Sequence, residues 1–125
     1  MASVLREVII DCRDPHRVGR FWSDVLAWPL VEDERGYCWS SSTGEPTAPA
    51  PLLVFLPVPE PKQGKNRLHI DVNPSGCDQD EELERLLALG ARRVDIGQRD
   101  VPWVVLADPE GNEFCLLHRR VDIPT

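Results

Sequence analysis

Glu7-Val8-Ile9-Ile10-Asp11-Cys12-Arg13-Asp14-Pro15 and, sixty residues on, Arg67-Leu68-His69-Ile70-Asp71-Val72 are the stretches from which the fold can be read. Both alternate with the period-two pattern of a strand, because successive side chains point to opposite faces. In the first, Val8, Ile10 and Cys12 share one face and Glu7, Ile9 and Asp11 the other. In the second, Leu68, Ile70 and Val72 oppose Arg67, His69 and Asp71. The match of Ile10-Asp11-Cys12 to Ile70-Asp71-Val72 marks the second half as a repeat of the first.

The residues that follow each strand repeat as well. Asp14 can accept from first-turn N–H groups and Pro15 suits the first helical position, so a helix starts there. Val18, Phe21, Trp22, Val25 and Leu26 form its apolar stripe, and Pro29 is expected to end it. Leu30 to Glu32, Gly36 to Ser40 and Leu52 to Leu56 read as strands. The polar, proline-rich loop Ser41 to Pro51 reads as a lid or, more simply, as an exposed hairpin loop. Pro57, Pro59 and Pro61 make a connector with no sheet role. In the second half Asp78 with Glu81 starts a helix, Leu83, Leu86 and Leu87 form its stripe, and Gly90 ends it. Arg92 to Ile96, Pro102 to Ala107 and Glu113 to His118 read as three more strands. The last two are joined by the turn Asp108-Pro109-Glu110-Gly111-Asn112.

The expected architecture is therefore α+β: two βαβββ modules, at about 4–57 and 66–119, within one domain spanning 1–125. Their sheets should combine into a cupped mixed sheet with the helices outside. Glu7, Asp11, Arg67, His69 and Asp71 would then face the concavity, where polar groups on an apolar scaffold carry binding information.

The whole-chain properties narrow the function. A net charge of −7 argues against nucleic acid, which demands clustered Lys and Arg, but leaves room for a small anionic ligand. No basic segment followed by an apolar run opens the chain, and no stretch approaches the ~20 apolar residues of a membrane span. Cys12, Cys38, Cys77 and Cys115 have no zinc-like spacing, so reduced thiols and a cytoplasmic location are expected.

Four blocks carry a family resemblance. They are Asp11-Cys12-Arg13-Asp14-Pro15 leading to Phe21-Trp22, Pro59-Glu60-Pro61-Lys62, Lys65 to Asp71, and Ala107 to Cys115 with its Asp-Pro-Glu-Gly-Asn turn. In this order, inside a duplicated pattern, they make the chain resemble the glyoxalase-like branch of the vicinal-oxygen-chelate superfamily. That superfamily holds glyoxalases, bleomycin-resistance proteins and dioxygenases.

The resemblance implies metal-ligand slots at Glu7, at Arg67 (or at His69 if the alignment shifts by two), at Cys115, and within Leu52 to Leu56. An arginine cannot donate a lone pair, and no residue of Leu52 to Leu56 can ligate through its side chain. The expectation is therefore no metal and no other cofactor, with a divalent metal as the alternative. Glu7 and Arg67 occupy equivalent positions, so they could pair with each other. Arg67 could instead clamp a carboxylate or phosphate.

His69 and Glu7 are the candidate catalytic groups, His69 as a general base or simply a satisfied strand histidine. Asp11 and Asp71 could act as acid or base or repeat a structural role. Cys115 reads as a packing residue unless its thiol is activated. Trp39, Phe55 and Trp103 could offer ligand-stacking surface, while Trp22 and Trp28 belong to the core.

The resemblance implies one of two functions: a metal-free protein that binds or sequesters a hydrophobic, aromatic or oxygen-rich compound, or a lyase, isomerase or dioxygenase. It also implies a homodimer, which would cover the apolar surface of Trp39, Phe55 and Trp103.

Overall fold

The computed structural model describes residues 1–123. The chain divides into two compact units, Met1–Pro61 and a second from Lys62 onward. In the first unit the order is β1 (Glu7–Cys12), α1 (Pro15–Leu26), β2 (Leu30–Glu32), β3 (Cys38–Ser40) and β4 (Leu52–Pro57). In the second it is β5 (Ile70–Val72), α2 (Gln79–Leu89), β6 (Arg92–Arg93), β7 (Val104–Ala107) and β8 (Glu113–Leu116). Each unit is thus a βαβββ module with one four-stranded mixed sheet, ordered β1-β4-β3-β2 and β5-β8-β7-β6. In both sheets the first strand runs parallel to the last and the other pairings are antiparallel.

The helix ends follow capping chemistry. Asp14 accepts from the Arg17 amide at 3.2 Å and Asp78 from the Glu81 amide at 2.9 Å, each meeting a donor the helix leaves orphaned. Gly90 closes α2 in the left-handed conformation. The end of α1 differs from expectation. Ala27, at φ 55°, forms the left-handed cap two residues before Pro29, so the proline follows a turn already made.

In the first unit α1 packs closely on one sheet face. A Cβ on Gly19 would lie 3.1 Å from Leu30 Cδ1 and 3.2 Å from Phe55 Cδ2, so a larger residue would need those side chains to give way. Val18, Phe21, Trp22 and Val25 are buried beside it, with Phe21 and Trp22 edge to face at 5.4 Å. By register, Val8, Ile10 and Cys12 share this face with Leu53 and Phe55, as the alternation predicts. Val8 nevertheless stays 40% exposed.

Several strands are shorter than the sequence pattern suggests, because side chains take the backbone donors that a ladder would use. Before β3, the Asp33 carboxylate accepts from the amides of Arg35 and Tyr37, so Gly36 and Tyr37 lie in a turn and not in the strand. After β6, Gln98 accepts from the Ile96 amide and Asp95 from the Gly97 amide, which folds the chain away beyond Val94. β7 begins at Val104 and not at Pro102, and β8 stops at Leu116. Conversely, Pro57 closes β4 opposite Cys12 and is no part of the connector.

The largest revision concerns Arg67 to His69, which precede β5 and do not belong to it. In register with β8, Arg67 would fall opposite Gly111, inside the preceding turn, where no ladder exists. The Asn66 amide instead bonds the Glu113 carboxylate at 3.0 Å. Leu68, expected in the core, is 87% exposed as a result.

Replacing Gly19 with valine is expected to destabilise the fold by roughly 1–3 kcal/mol, since the contact with Leu30 and Phe55 leaves no room for a branched side chain. Urea denaturation measures this. A variant at least as stable as the parent, as helix propensity alone would give, would mean that α1 can stand off from the sheet.

Candidate functional site

The second sheet carries its polar chemistry on the face reached by Asp71, Cys115 and Val105, which are paired across β5, β8 and β7. His69 lies two residues before Asp71, and its Nε2 is 3.2 Å from Asp71 Oδ1. The ligating atoms of His69, Asp71 and Cys115 all lie within 4.8 Å of one another. Cys115 is buried, while the His69 and Asp71 side chains are half exposed. A small molecule can therefore reach the imidazole and carboxylate with the thiol beneath them.

The electrostatics quiet the thiol. Burial, then the Asp71 charge, then a hydrogen bond to Asp71 push the Cys115 thiol up, with Lys65 opposing weakly. A thiol raised in this way stays protonated near neutrality and is a poor nucleophile.

Glu113 shares the face two residues earlier on β8 and is buried. Lys62 forms an ion pair with it, Asn66 donates its amide, and the Asn66 side chain donates to Asn112 Oδ1 at 3.2 Å. Burial is the largest influence on Glu113 and opposes its ionisation. The Lys62 bond and the Asn66 amide together outweigh it and hold the carboxyl below its ordinary 4.5. This network fixes the segment that carries His69.

The structure distributes the other expected site residues. Arg67 is exposed, outside the strand, and no ion pair with it, to Glu7 or to any other carboxylate, forms among the described residues. Phe55 is fully buried beneath Gly19, on the helix side of its sheet, and offers no ligand surface. Glu7 and Asp11 lie exposed on the face of the first sheet opposite the helix, beside the row Ile9, Val54, Trp39 and Val31. Trp103 precedes β7 and is 40% exposed. Asp71 proves to be the hub of the cluster, a role that counting ligand slots along the sequence missed. The usable signal was the pairing of a parallel first and last strand, which sets Asp71 beside Cys115.

The glyoxalase-like domain family model matches residues 7–117. The chain belongs to that family, and so to the vicinal-oxygen-chelate superfamily. Its fold resembles the fosfomycin resistance protein FosX from Mesorhizobium loti, with TM-score 0.69, 17% identity, and coverage of 94% of this chain and 92% of that one. FosX from Listeria monocytogenes, solved with Mn(II) and sulfate, gives 0.70 at 17% identity, covering 97% and 93%. A glyoxalase/bleomycin resistance protein/dioxygenase family enzyme from Burkholderia phytofirmans PsJN gives 0.68 at 18%, covering 91% and 97%. No curated protein sequence matches the chain. Among the described residues no helix is long and apolar enough to cross a membrane.

Two outcomes follow. With Cys77 replaced by serine, Asp71→Asn should speed alkylation of Cys115 by iodoacetamide at neutral pH, because it removes a negative charge that raises the thiol. Peptide mapping by mass spectrometry reads this, and an unchanged rate would show that burial alone protects the sulfur. Glu113, whose folded carboxyl lies below its ordinary value, stabilises the fold above about pH 4.5, and this contribution fades as pH falls through the lower folded value. Lys62→Met should remove roughly 1–3 kcal/mol at pH 7 and flatten that acid dependence, as followed by urea titrations at several pH values.

Proposed function

We propose that the protein binds a small oxygen-rich or aromatic compound at His69, Asp71 and Cys115, on the face of the second sheet that these residues share. The observation that carries this reading is the gathering of three polar side chains whose ligating atoms lie within 4.8 Å of one another, two of them half exposed. His69 can donate to or accept from a ligand oxygen. Asp71 orients the imidazole, and the protonated thiol packs below without entering covalent chemistry. In this reading the protein sequesters its ligand and forms a homodimer, as the family resemblance implies, and works in the cytoplasm, as its unpaired cysteines suggest.

A second reading, a lyase, isomerase or dioxygenase, is favoured by the same three donors. An imidazole nitrogen, a carboxylate oxygen and a sulfur at this spacing fit a borderline-soft divalent ion. When bound, such an ion would supply Lewis-acid polarisation of a ligand oxygen. His69, Asp71 and Cys115 would hold it, and Cys115 would give up its proton. Manganese, named with one FosX neighbour, suits this set poorly, because a thiolate disfavours so hard an ion.

Titration with Co(II) and Mn(II) separates the readings. The first expects no stoichiometric binding of either ion and no loss of melting temperature on adding EDTA. A near-ultraviolet sulfur-to-cobalt band, saturating at one ion per chain and lost in Cys115→Ser, would establish the second and overturn the first. For the binding reading, thermal-shift stabilisation by a member of an oxygenated-aromatic panel should disappear in His69→Gln and in Asp71→Asn. Stabilisation that survives both substitutions would place the ligand elsewhere.

A further inference from the structure

We propose that the loop between β6 and β7 forms a second binding site, selective for a planar aromatic anion such as an aryl carboxylate. A cleft of about 440 Å³ opens here. The cleft reaches Val105, the cross-strand neighbour of Cys115, but His69, Asp71 and Cys115 are not among the residues that line it.

The loop is built and not merely long. The Gln98 side chain accepts from the Ile96 amide at 2.8 Å and donates to the Val94 carbonyl at 3.0 Å, bracing the turn from inside. Asp95 accepts from the Gly97 amide at 2.8 Å and from Arg99 Nη1 at 3.3 Å. Asp100 is held in the left-handed region at φ 52°, a conformation uncommon for a non-glycine residue.

Three side chains then set the ligand chemistry. Arg93 lines the cleft and has no hydrogen-bond or ion-pair partner for its guanidinium among the described residues. Arg99 spends Nη1 on Asp95 and on the Gln98 carbonyl, which leaves its Nε and Nη2 donors for a ligand. Since Asp95 offsets Arg99, the cleft retains one net positive charge, which suits a single carboxylate. Trp103, 40% exposed, supplies an aromatic wall, and Val104 and Val105 add apolar surface. A guanidinium fork pairs with a carboxylate through two parallel hydrogen bonds, and an indole stacks on a flat ring. The volume suits one or two fused rings.

The test uses the full chain with 2-naphthoate as probe, against neutral 2-naphthamide and against acetate, followed by tryptophan fluorescence and by the NMR signal of the Trp103 indole N–H. Saturable naphthoate binding that shifts this signal, with much weaker binding of the amide and of acetate, is expected. Arg93→Ala and Trp103→Ala should each weaken binding by about tenfold or more. Both positions are exposed, so these variants should fold, and circular dichroism confirms it. Absence of naphthoate binding at millimolar concentration would overturn the proposal, as would equal binding of acetate or of the amide. Binding that is lost in His69→Gln but retained in Arg93→Ala would also overturn it, by placing the probe at the other cluster.

Discussion

The geometry of the second unit hangs on the carboxylate of Asp108. This side chain is fully buried and accepts from the amides of Glu110 and Asn112 and from the Asn112 side chain, at 2.9–3.2 Å. Its own carbonyl accepts from Gly111, and its amide donates to the Asn112 carbonyl. Those bonds close the turn so that Ala107 and Glu113 emerge as the first pair of the β7–β8 ladder. A slip of one residue would send every later side chain to the other face. With this register Cys115 lies between Asp71 and Val105, and Glu113 sits where Lys62 and Asn66 can reach it. The candidate cluster is thus positioned by a turn that contains none of its members.

That dependence explains why the sequence is so uneven a guide. The turn and both helix starts were legible, because Asp14, Asp78 and Asp108 act on amides two to four residues away and leave a local signature. The apolar stripe of α1 was legible for the same reason, and so was the duplication. Strand ends were not. At Asp33, Asp95 and Gln98 a side chain competes with the neighbouring strand for a backbone donor, and the alternation of apolar residues contains no trace of which will win. Arg67 to His69 alternate as cleanly as Glu7 to Ile9. They leave the sheet because β8 begins at Glu113 and offers them no partner.

The candidate site was half legible. His69 and Cys115 could be singled out from their spacing to recognisable motifs, and the shared face of His69 and Asp71 from period two. Their meeting with Cys115 depends on a parallel pairing between residues 44 positions apart, which nothing local encodes. Phe55 was misassigned for a related reason: period two divides a strand into two faces but cannot say which one the helix covers. Gly19 decides it, since the face bearing Leu30, Cys38 and Phe55 is the one a helix with a bare Cα can approach.

The two units started from one plan and have specialised unequally. On the face opposite α1, the first sheet presents Ile9, Val54, Trp39 and Val31 in a cross-strand row, flanked by Glu7 and Asp11. The corresponding face of the second sheet presents Asp71 and Cys115, with Glu113 and its lysine alongside. A six-residue β1 against a six-residue β4 can hold an apolar surface by ladder bonds alone. The three-residue β5 cannot, and its approach is held by side chains instead: Glu113 to Asn66, Asn66 to Asn112, His69 to Asp71. The polar groups that complete the short strand are also the ones left accessible there. In the second unit the same shortening that removed Arg67 from the sheet left His69 at its edge, half exposed, against the Asp71 carboxylate.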